Sequence, residues 1–442
     1  MLKIKNFLCS TLLFLCAASY SQQLPPLSLM DAISEGLENN YSIILMRNSA
    51  EISSNNATRG NAGMLPSVTL NGSLNNGIAN SYMKYSADRG GDVQERTGAT
   101  SSNMNANVAF DWTVFDGFAM FANYDMLVEL EMMGQENLRI TIQQTIASIM
   151  NIYFDIVSRQ QELDATAHIL KISHLRKISA NDRFLGGKVS KVDLLSAQVD
   201  YNADTTSYIR QTEELRRAKI QLNKILAREI TTDFFASDTI NVDQTLNYGK
   251  IHDLALSENP DVVLSRMSVN VATFTLKATE GSQYPIVKLT SNYTMLRSQS
   301  ATGQIAETRS GTFNYGATLT MPLFNGFNIS RQIKNAKLEK EAAEIRYEEI
   351  QKEIEAQVAT AYSTYLVNRN LANFEADNLE LAAENLDISM DRYRLGAISA
   401  VELRDVQRSY ISATNRYIVA TYNAKIAEIA LKMLTGVVME IE

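Results

Sequence analysis

The chain of 442 residues is 45% hydrophobic and 20% charged, carries a formal net charge of −8 and has 2 cysteines. An acidic balance of this kind makes the chain a poor nucleic-acid binder. Both cysteines, Cys9 and Cys16, fall within residues 1–21, so a chain without that segment has no disulfide and no cysteine metal site.

In chain order, residues 1–21 read as a secretory signal. Lys3 and Lys5 form a basic start, Phe7 to Ala18 an apolar stretch, and Ser19-Tyr20-Ser21 a small-residue cleavage site before Gln22. A lipoprotein signal ending at Cys16 is disfavoured by the bulky Leu15 before it. No stretch reaches the roughly 20 apolar residues of a transmembrane helix.

A first repeat, 22–228, opens with a helix near Leu29 to Asn39 and another from about Tyr41 to Asn61. The period then changes from helical to alternating, which predicts strands over about 66–83 and 101–115. In the second, Met104, Val108, Phe110 and Trp112 share one face and Asn103, Asn105, Asn107 and Asp111 the other. The polar, Gly- and Ser-rich stretch Ser81–Thr100 is expected to be the tip between them. A helix over about 118–185 follows without a breaker; at 1.5 Å per residue it is ~100 Å long. A return helix covers about 190–228, and 229–249 reads as a linker on the outside of a helical body.

The second repeat, 250–436, has the same order. A helix from Ile251 to Glu258 breaks at Asn259-Pro260 and resumes to about Glu280. Strands follow over about 285–297 and 310–324, then a long helix over 327–394, a return helix over 399–434 and a tail at 437–442. Asp182 and Asp391 lie 209 apart, as do Arg183 and Arg392, Gly187 and Gly396, Ser190 and Ser399, and Gln198 and Gln407. Pro66 and Pro285 lie 219 apart, which places a ten-residue insertion in the first copy's strand region. Each tip reads as one helix ended by Gly and the next capped by Ser. Ser399-x-x-Glu402 is a capping box and Ser190-x-x-Asp193 a weaker version.

Along the last helix, Leu403, Val406, Tyr410, Ala413, Tyr417 and onward to Leu434 step by three and four, a coiled-coil seam. Ile411, Ile418 and Ile429 add a second flank, as a helix between two neighbours needs. A soluble half-buried sheet shows the same strand alternation. The signal and the flanking helices tip the reading toward strands that cross lipid, at about the 9–11 residues this takes. Four such strands cannot close a barrel, and lipid does not tolerate an open edge, so several chains must share one.

Phe115-Asp116-Gly117 and Pro322-Leu323-Phe324-Asn325-Gly326 stand where strand gives way to helix, and Arg183-Phe184-x-x-Gly187 and Arg392-Tyr393-x-x-Gly396 stand at the tips. With Leu37-Glu38-Asn39-Asn40 and Leu256 to Pro260, these segments resemble the TolC-like outer membrane factor family over nearly the whole chain. The resemblance implies a mixed membrane fold: a shared transmembrane β-barrel, four strands per chain and twelve in a trimer, continued by a periplasmic α-helical barrel. It also implies an outer membrane exit duct of a Gram-negative tripartite efflux or type I secretion system. The partners would be a periplasmic adaptor protein, an inner-membrane transporter and outer membrane lipid, with no cofactor and no nucleic acid.

Residue by residue, Gly186, Gly187, Lys188, Val189 and Ser190, and Leu395, Gly396, Ala397, Ile398 and Ser399, match the family's adaptor-docking tips. They also read as plain helix-ending turns, and both readings can hold at once. Glu402 and Asp405 match an acidic ring that narrows the closed duct, on a stripe continued by Ser409, Ser412 and Arg416. As N-terminal helix acids both also suit the helix dipole, and Glu402 its capping box. Asp193 and Tyr393 match a polar lock of the gate, although Ile398 stands where some members carry an arginine. His168, His174 and His252 form no metal pattern, and Gly186-Gly187-Lys188 is not a phosphate loop, because Val189 replaces the required Ser or Thr. No catalytic constellation is present. A pore-free periplasmic coiled-coil adaptor or scaffold is the alternative to the duct.

Overall fold

The computed structural model describes residues 25–301 and 305–436. The expected signal, 1–21, and tail, 437–442, lie outside the described residues. The elements are β1 (Pro26–Leu27), α1 (Leu29–Asn39), α2 (Tyr41–Asn56), β2 (Ser67–Lys84), β3 (Val93–Phe115), α3 (Ala119–Leu185) and α4 (Lys191–Ile225). They continue with β4 (Phe235–Ala236), α5 (Tyr248–Glu258), α6 (Pro260–Gly281), β5 (Ile286–Ser300), β6 (Glu307–Thr320), α7 (Asn328–Arg394) and α8 (Ala400–Leu434). Helices α3 and α7 each run 67 residues, and α4 and α8 each run 35. The described residues form two compact units, one of 47–138 and 260–352, the other of the remaining segments.

The 47–138/260–352 unit holds a four-stranded antiparallel sheet in the order β2-β3-β5-β6. Its register places Leu70, Val108, Tyr293 and Phe313 in one cross-strand row. Val68, Phe110, Ser291 and Tyr315 form the next row on that face. The opposite face carries rows such as Asn71, Asn107, Thr294 and Thr312. One-residue offsets between these rows turn the side chains over, so the alternating sequence becomes one apolar and one polar face. Leu70 is 77% exposed and Tyr315 82%, so among the described residues of this unit no layer covers the apolar face.

The strand boundaries depart most from the sequence expectation at the start of β3 and the end of β6. β3 begins at Val93, well inside the expected polar tip, because hairpin pairing continues from Ser81↔Arg96 to Lys84↔Val93 past a bulge at Ala79/Ser81. Backbone hydrogen bonds satisfied across a hairpin do not require apolar side chains. β6 ends at Thr320 rather than 324, just before Pro322, which has no N–H for the ladder. The second helix also ends early, at Asn56, because Thr58 starts a separate turn, accepting through Oγ1 from Asn61 N at 3.2 Å.

Both strand-to-helix junctions use a left-handed pair, Gly117 (φ 74°) with Phe118 (φ 67°) and Gly326 (φ 65°) with Phe327 (φ 62°). Such a backbone is uncommon for a bulky residue. An edge-to-face ring pair accompanies it each time, Phe115–Phe118 at 5.2 Å and Phe324–Phe327 at 5.4 Å. The two glycines differ in what surrounds them. A Cβ at Gly117 would stand 2.2 Å from the Gly281 carbonyl oxygen, whereas at Gly326 nothing lies within 4 Å. Gly326→Ala should therefore cost only the conformational penalty, about 1 kcal/mol, and Gly117→Ala at least about twice that. Heat resistance of the purified variants ranks the two; an equal loss would refute the packing argument.

In the other unit, α1, α3, α4 and α8 enclose a core that includes Ile33, Ile149, Tyr153, Leu222, Phe234 and Ile429. The parallel pair β1–β4 joins the 229–249 segment to the N-terminal strand. Tyr153, fully buried, reaches the Leu27 carbonyl at 2.8 Å and Asp238 Oδ2 at 2.6 Å. Burial pushes its hydroxyl pKa up, and the Asp238 hydrogen bond adds to the shift. Farther along, Glu428, 2% exposed, accepts from Asp243 N at 3.0 Å and pairs with Lys425 at 3.0 Å and Lys432 at 3.1 Å. The segment is thus fastened to α8 through a buried charge. Asn40 Nδ2 donates to the Ile225 carbonyl and Asn259 Nδ2 to the Leu434 carbonyl, both at 2.9 Å. Each matched asparagine satisfies a last-turn carbonyl of a return helix. Leu403, Ala413, Ala424, Ala427 and Leu431 of the seam are buried, as are Ile418 and Ile429 of the second flank.

Candidate functional site at the helical tips

Helix α3 ends at Leu185, with Gly187 left-handed (φ 69°) and Lys188 N donating back to the Arg183 carbonyl at 2.8 Å. Helix α7 ends in the same way: Gly396 has φ 73°, and Ala397 N donates to the Arg392 carbonyl at 2.8 Å. These are Schellman closures, which leave the glycine at a position where L side chains are strained. Nothing lies within 4 Å of an added Cβ at either glycine, so the backbone there is open to a partner. Around it Leu185, Val192, Leu395 and Val401 stand 70–85% exposed, two apolar residues on each tip.

Ser190 and Ser399 then cap α4 and α8 with complete capping boxes. The Asp193 box, ranked weaker on sequence, closes as fully as the other: Ser190 N donates to Asp193 Oδ2 at 3.0 Å and Ser399 N to Glu402 Oε2 at 2.8 Å. Hydrogen bonds from the Ser190 hydroxyl and backbone hold the Asp193 carboxyl below its ordinary pKa.

Three of the four sequence-nominated gate residues, Asp193, Tyr393 and Asp405, line one groove of 440 Å³ between the tips. No hydrogen bond joins Asp193 to Tyr393 among the described residues. Instead the Arg183 guanidinium lies 5.3 Å from the Tyr393 ring centroid. Glu402 stays in its cap. Asp405, 69% exposed at the side chain, has Arg408 Nη1 at 4.0 Å. On the continuing stripe Ser409 and Ser412 are exposed, while Arg416 pairs with Glu375 at 3.1 Å.

Beside the groove lies a charge network that sequence reasoning missed. Arg404 of α8 makes two hydrogen bonds to Asp204 of α4, both 2.9 Å, and stands 3.6 Å from Asp200. Arg176 of α3 pairs with Asp200 from the other side, and the Ser173 hydroxyl donates to Asp204. Arg404 and Asp204 are 13% and 14% exposed and Arg176 4%. Burial works against the Arg404 charge, but the hydrogen bonds and charge of Asp204, with Asp200, outweigh it and raise its pKa. The signal was in the repeat itself. At the 209 offset Arg404, Asp204, Asp200, Arg176 and Ser173 correspond to Leu195, Ala413, Ser409, Asn385 and Ala382, so the network occupies positions where the copies differ.

Among the described residues no group of His, Cys, Asp and Glu could hold a metal ion, and none of their helices is long and apolar enough to cross a membrane.

Residues 32–228 and 251–437 match the family model described as outer membrane efflux protein. The chain is 21% identical over 326 residues to the outer membrane efflux protein BepC of Brucella suis, covering 73% of this chain and 70% of that one. It is 22% identical over 425 residues to the alkaline protease secretion protein AprF of Pseudomonas aeruginosa, covering 93% and 86%. Among solved structures, the open state of the Neisseria gonorrhoeae MtrE outer membrane channel matches with a TM-score of 0.73 at 17% identity, covering 93% and 89%.

Proposed function

The chain belongs to the outer membrane efflux protein family, and from that premise we propose how this outer membrane channel is built and worked. Three copies supply four strands each to one membrane barrel, and their helical hairpins continue it as a duct through the periplasm. The observation that carries this reading is the sheet. One face is apolar and uncovered, the other is lined with Asn, Thr and Ser, and the outer strands β2 and β6 leave their edges unpaired. In lipid such edges must close on further strands, which only other chains supply. A pore-free periplasmic scaffold has no use for a sheet of this kind.

The duct is passive. An energised inner-membrane pump, coupled through an adaptor, opens the tips, and the adaptor seats on Gly186–Ser190 and Leu395–Ser399, where open glycine backbone adjoins the exposed Leu185, Val192, Leu395 and Val401. The gate is formed by Asp193, Tyr393 and Asp405 along the groove, with Glu402 beside them in its cap. Opening has to break the Arg404–Asp204 pair if α8 moves off α4. Outer membrane extracts run without boiling should show a heat-resistant trimer, and the purified protein should give small, mostly closed currents in planar bilayers. Recovery as a soluble periplasmic monomer would sink the reading.

A further inference from the structure

The apolar face of the sheet ends, toward the hairpin tips, in two arginines set directly opposite each other. Arg297 of β5 and Arg309 of β6 are register partners, in one row with Leu74 and Met104. Like charges directly opposite on neighbouring strands destabilise a sheet, so the pair needs a counter-charge. Glu307 supplies part of it, its Oε1 accepting from Arg297 Nε at 2.8 Å and from Arg309 Nε at 2.7 Å. Both contacts use Nε. Among the described residues the terminal nitrogens of both guanidiniums make no other hydrogen bond, so two cations share one anion with donors to spare.

Directly below, on the same face, the side chains shrink. Met295 pairs with Gly311 and with Ala106, and together with Met104 and the two arginines these residues line a hollow of 350 Å³. The Tyr293 hydroxyl reaches over it, 2.9 Å from where a Gly311 Cβ would be. A charged rim above a methionine-walled hollow, on a face that otherwise meets hydrocarbon, has the chemistry of a lipid seat: an anionic headgroup at the rim and an acyl chain below.

We propose that Arg297 and Arg309 bind the phosphate monoester of an outer-leaflet glycolipid of the lipid A type, with one of its acyl chains in the hollow over Gly311 and Ala106. The proposal rests on reading this face as the one that meets lipid. The rim lies on the side of the sheet away from the strand-to-helix junctions, which that reading places in the outer leaflet. A paired guanidinium site suits a dianionic monoester, with several acceptor oxygens, better than the single charge of a phospholipid diester.

The test uses the full-length protein in phosphatidylcholine nanodiscs, titrated with diphosphoryl lipid A and read by native mass spectrometry. Wild type should retain one lipid A per chain, and the R297Q/R309Q variant should bind about tenfold more weakly. Arg346→Gln, an exposed arginine of α7, should change nothing. Glu307→Gln removes the competing anion and should tighten binding, a gain that misfolding cannot mimic. Equal binding by the double variant, weaker binding by Glu307→Gln, or equal displacement by phosphatidylglycerol overturns the proposal. Currents from the same samples separate the two levels. A wild type without trimers or currents fails as a barrel, whereas normal currents with unselective lipid binding remove only the lipid seat.

Discussion

Replacing Arg404 with Leu should loosen the periplasmic tip by about 3–5 kcal/mol and raise the open probability of the channel. The magnitude follows from what the change leaves behind. Asp204, 14% exposed, would keep its charge and lose both 2.9 Å hydrogen bonds, retaining only the Ser173 hydroxyl. Breaking a buried pair by removing one partner costs this much, because the surviving charge is uncompensated. The direction follows from position, since Arg404 is the member that α8 contributes and Asp200 and Asp204 belong to α4. Leu stands at the matching place in the other copy, Leu195, so its size is one the hairpin accommodates. Adding Asp204→Ala, the residue at Ala413 in the other copy, should recover most of the loss, since it removes the charge that R404L leaves unpaired while Asp200 stays paired with Arg176. Protease cleavage at the tip and single-channel recording check both steps. An R404L channel as closed and as resistant as wild type would show that the network is not a latch.

The sheet was legible because a period of two survives any change in strand length. Once Met104, Val108, Phe110 and Trp112 alternate with Asn103, Asn105, Asn107 and Asp111, the strand's two faces follow without knowledge of its partner. The extent of β3 was not legible, since polar residues at a hairpin tip pair through their backbones as readily as apolar ones and leave no mark in hydropathy. The caps at Ser190 and Ser399 were legible because they are local, involving residues three apart. Arg404 was not, because its partners lie 200 or more residues away in sequence or across another helix, and nothing local distinguishes it from an exposed arginine such as Arg408. Comparing the two copies position by position supplies part of the missing signal: Arg404, Asp204 and Ser173 stand where the other copy has Leu195, Ala413 and Ala382. Tyr153 and Glu428 escaped for the same reason, their partners Asp238 and Asp243 lying in a segment without periodicity.

Neutralising Glu402 and Asp405 together should abolish the cation preference of the open channel. In the proposed trimer the two carboxylates per chain would become a ring of six at the narrow end of the duct, and a single-sign ring in a confined passage concentrates counter-ions. The E402Q/D405N variant isolates charge from structure. Gln at the third helical position still serves a capping box, so the Ser399 N to Glu402 Oε2 contact of 2.8 Å has a replacement acceptor and α8 should start where it does now. Asp405 makes no such contact and is 69% exposed, with Arg408 at 4.0 Å, itself 66% exposed. An exposed pair of this kind is worth little, so its loss should not move the helix. The ratio of cation to anion permeability, read from the reversal potential across a salt gradient, should fall by on the order of tenfold, toward unity. The single variants should divide the effect unevenly. Asp405→Asn should carry more of it, because the Asp405 carboxylate lines the groove while Glu402 is turned back into its own cap. Arg408→Gln should shift selectivity the opposite way by removing the nearest opposing charge. Unchanged selectivity in the double variant would take both acids out of the passage and return them to the role of N-terminal helix acids complementing the dipole.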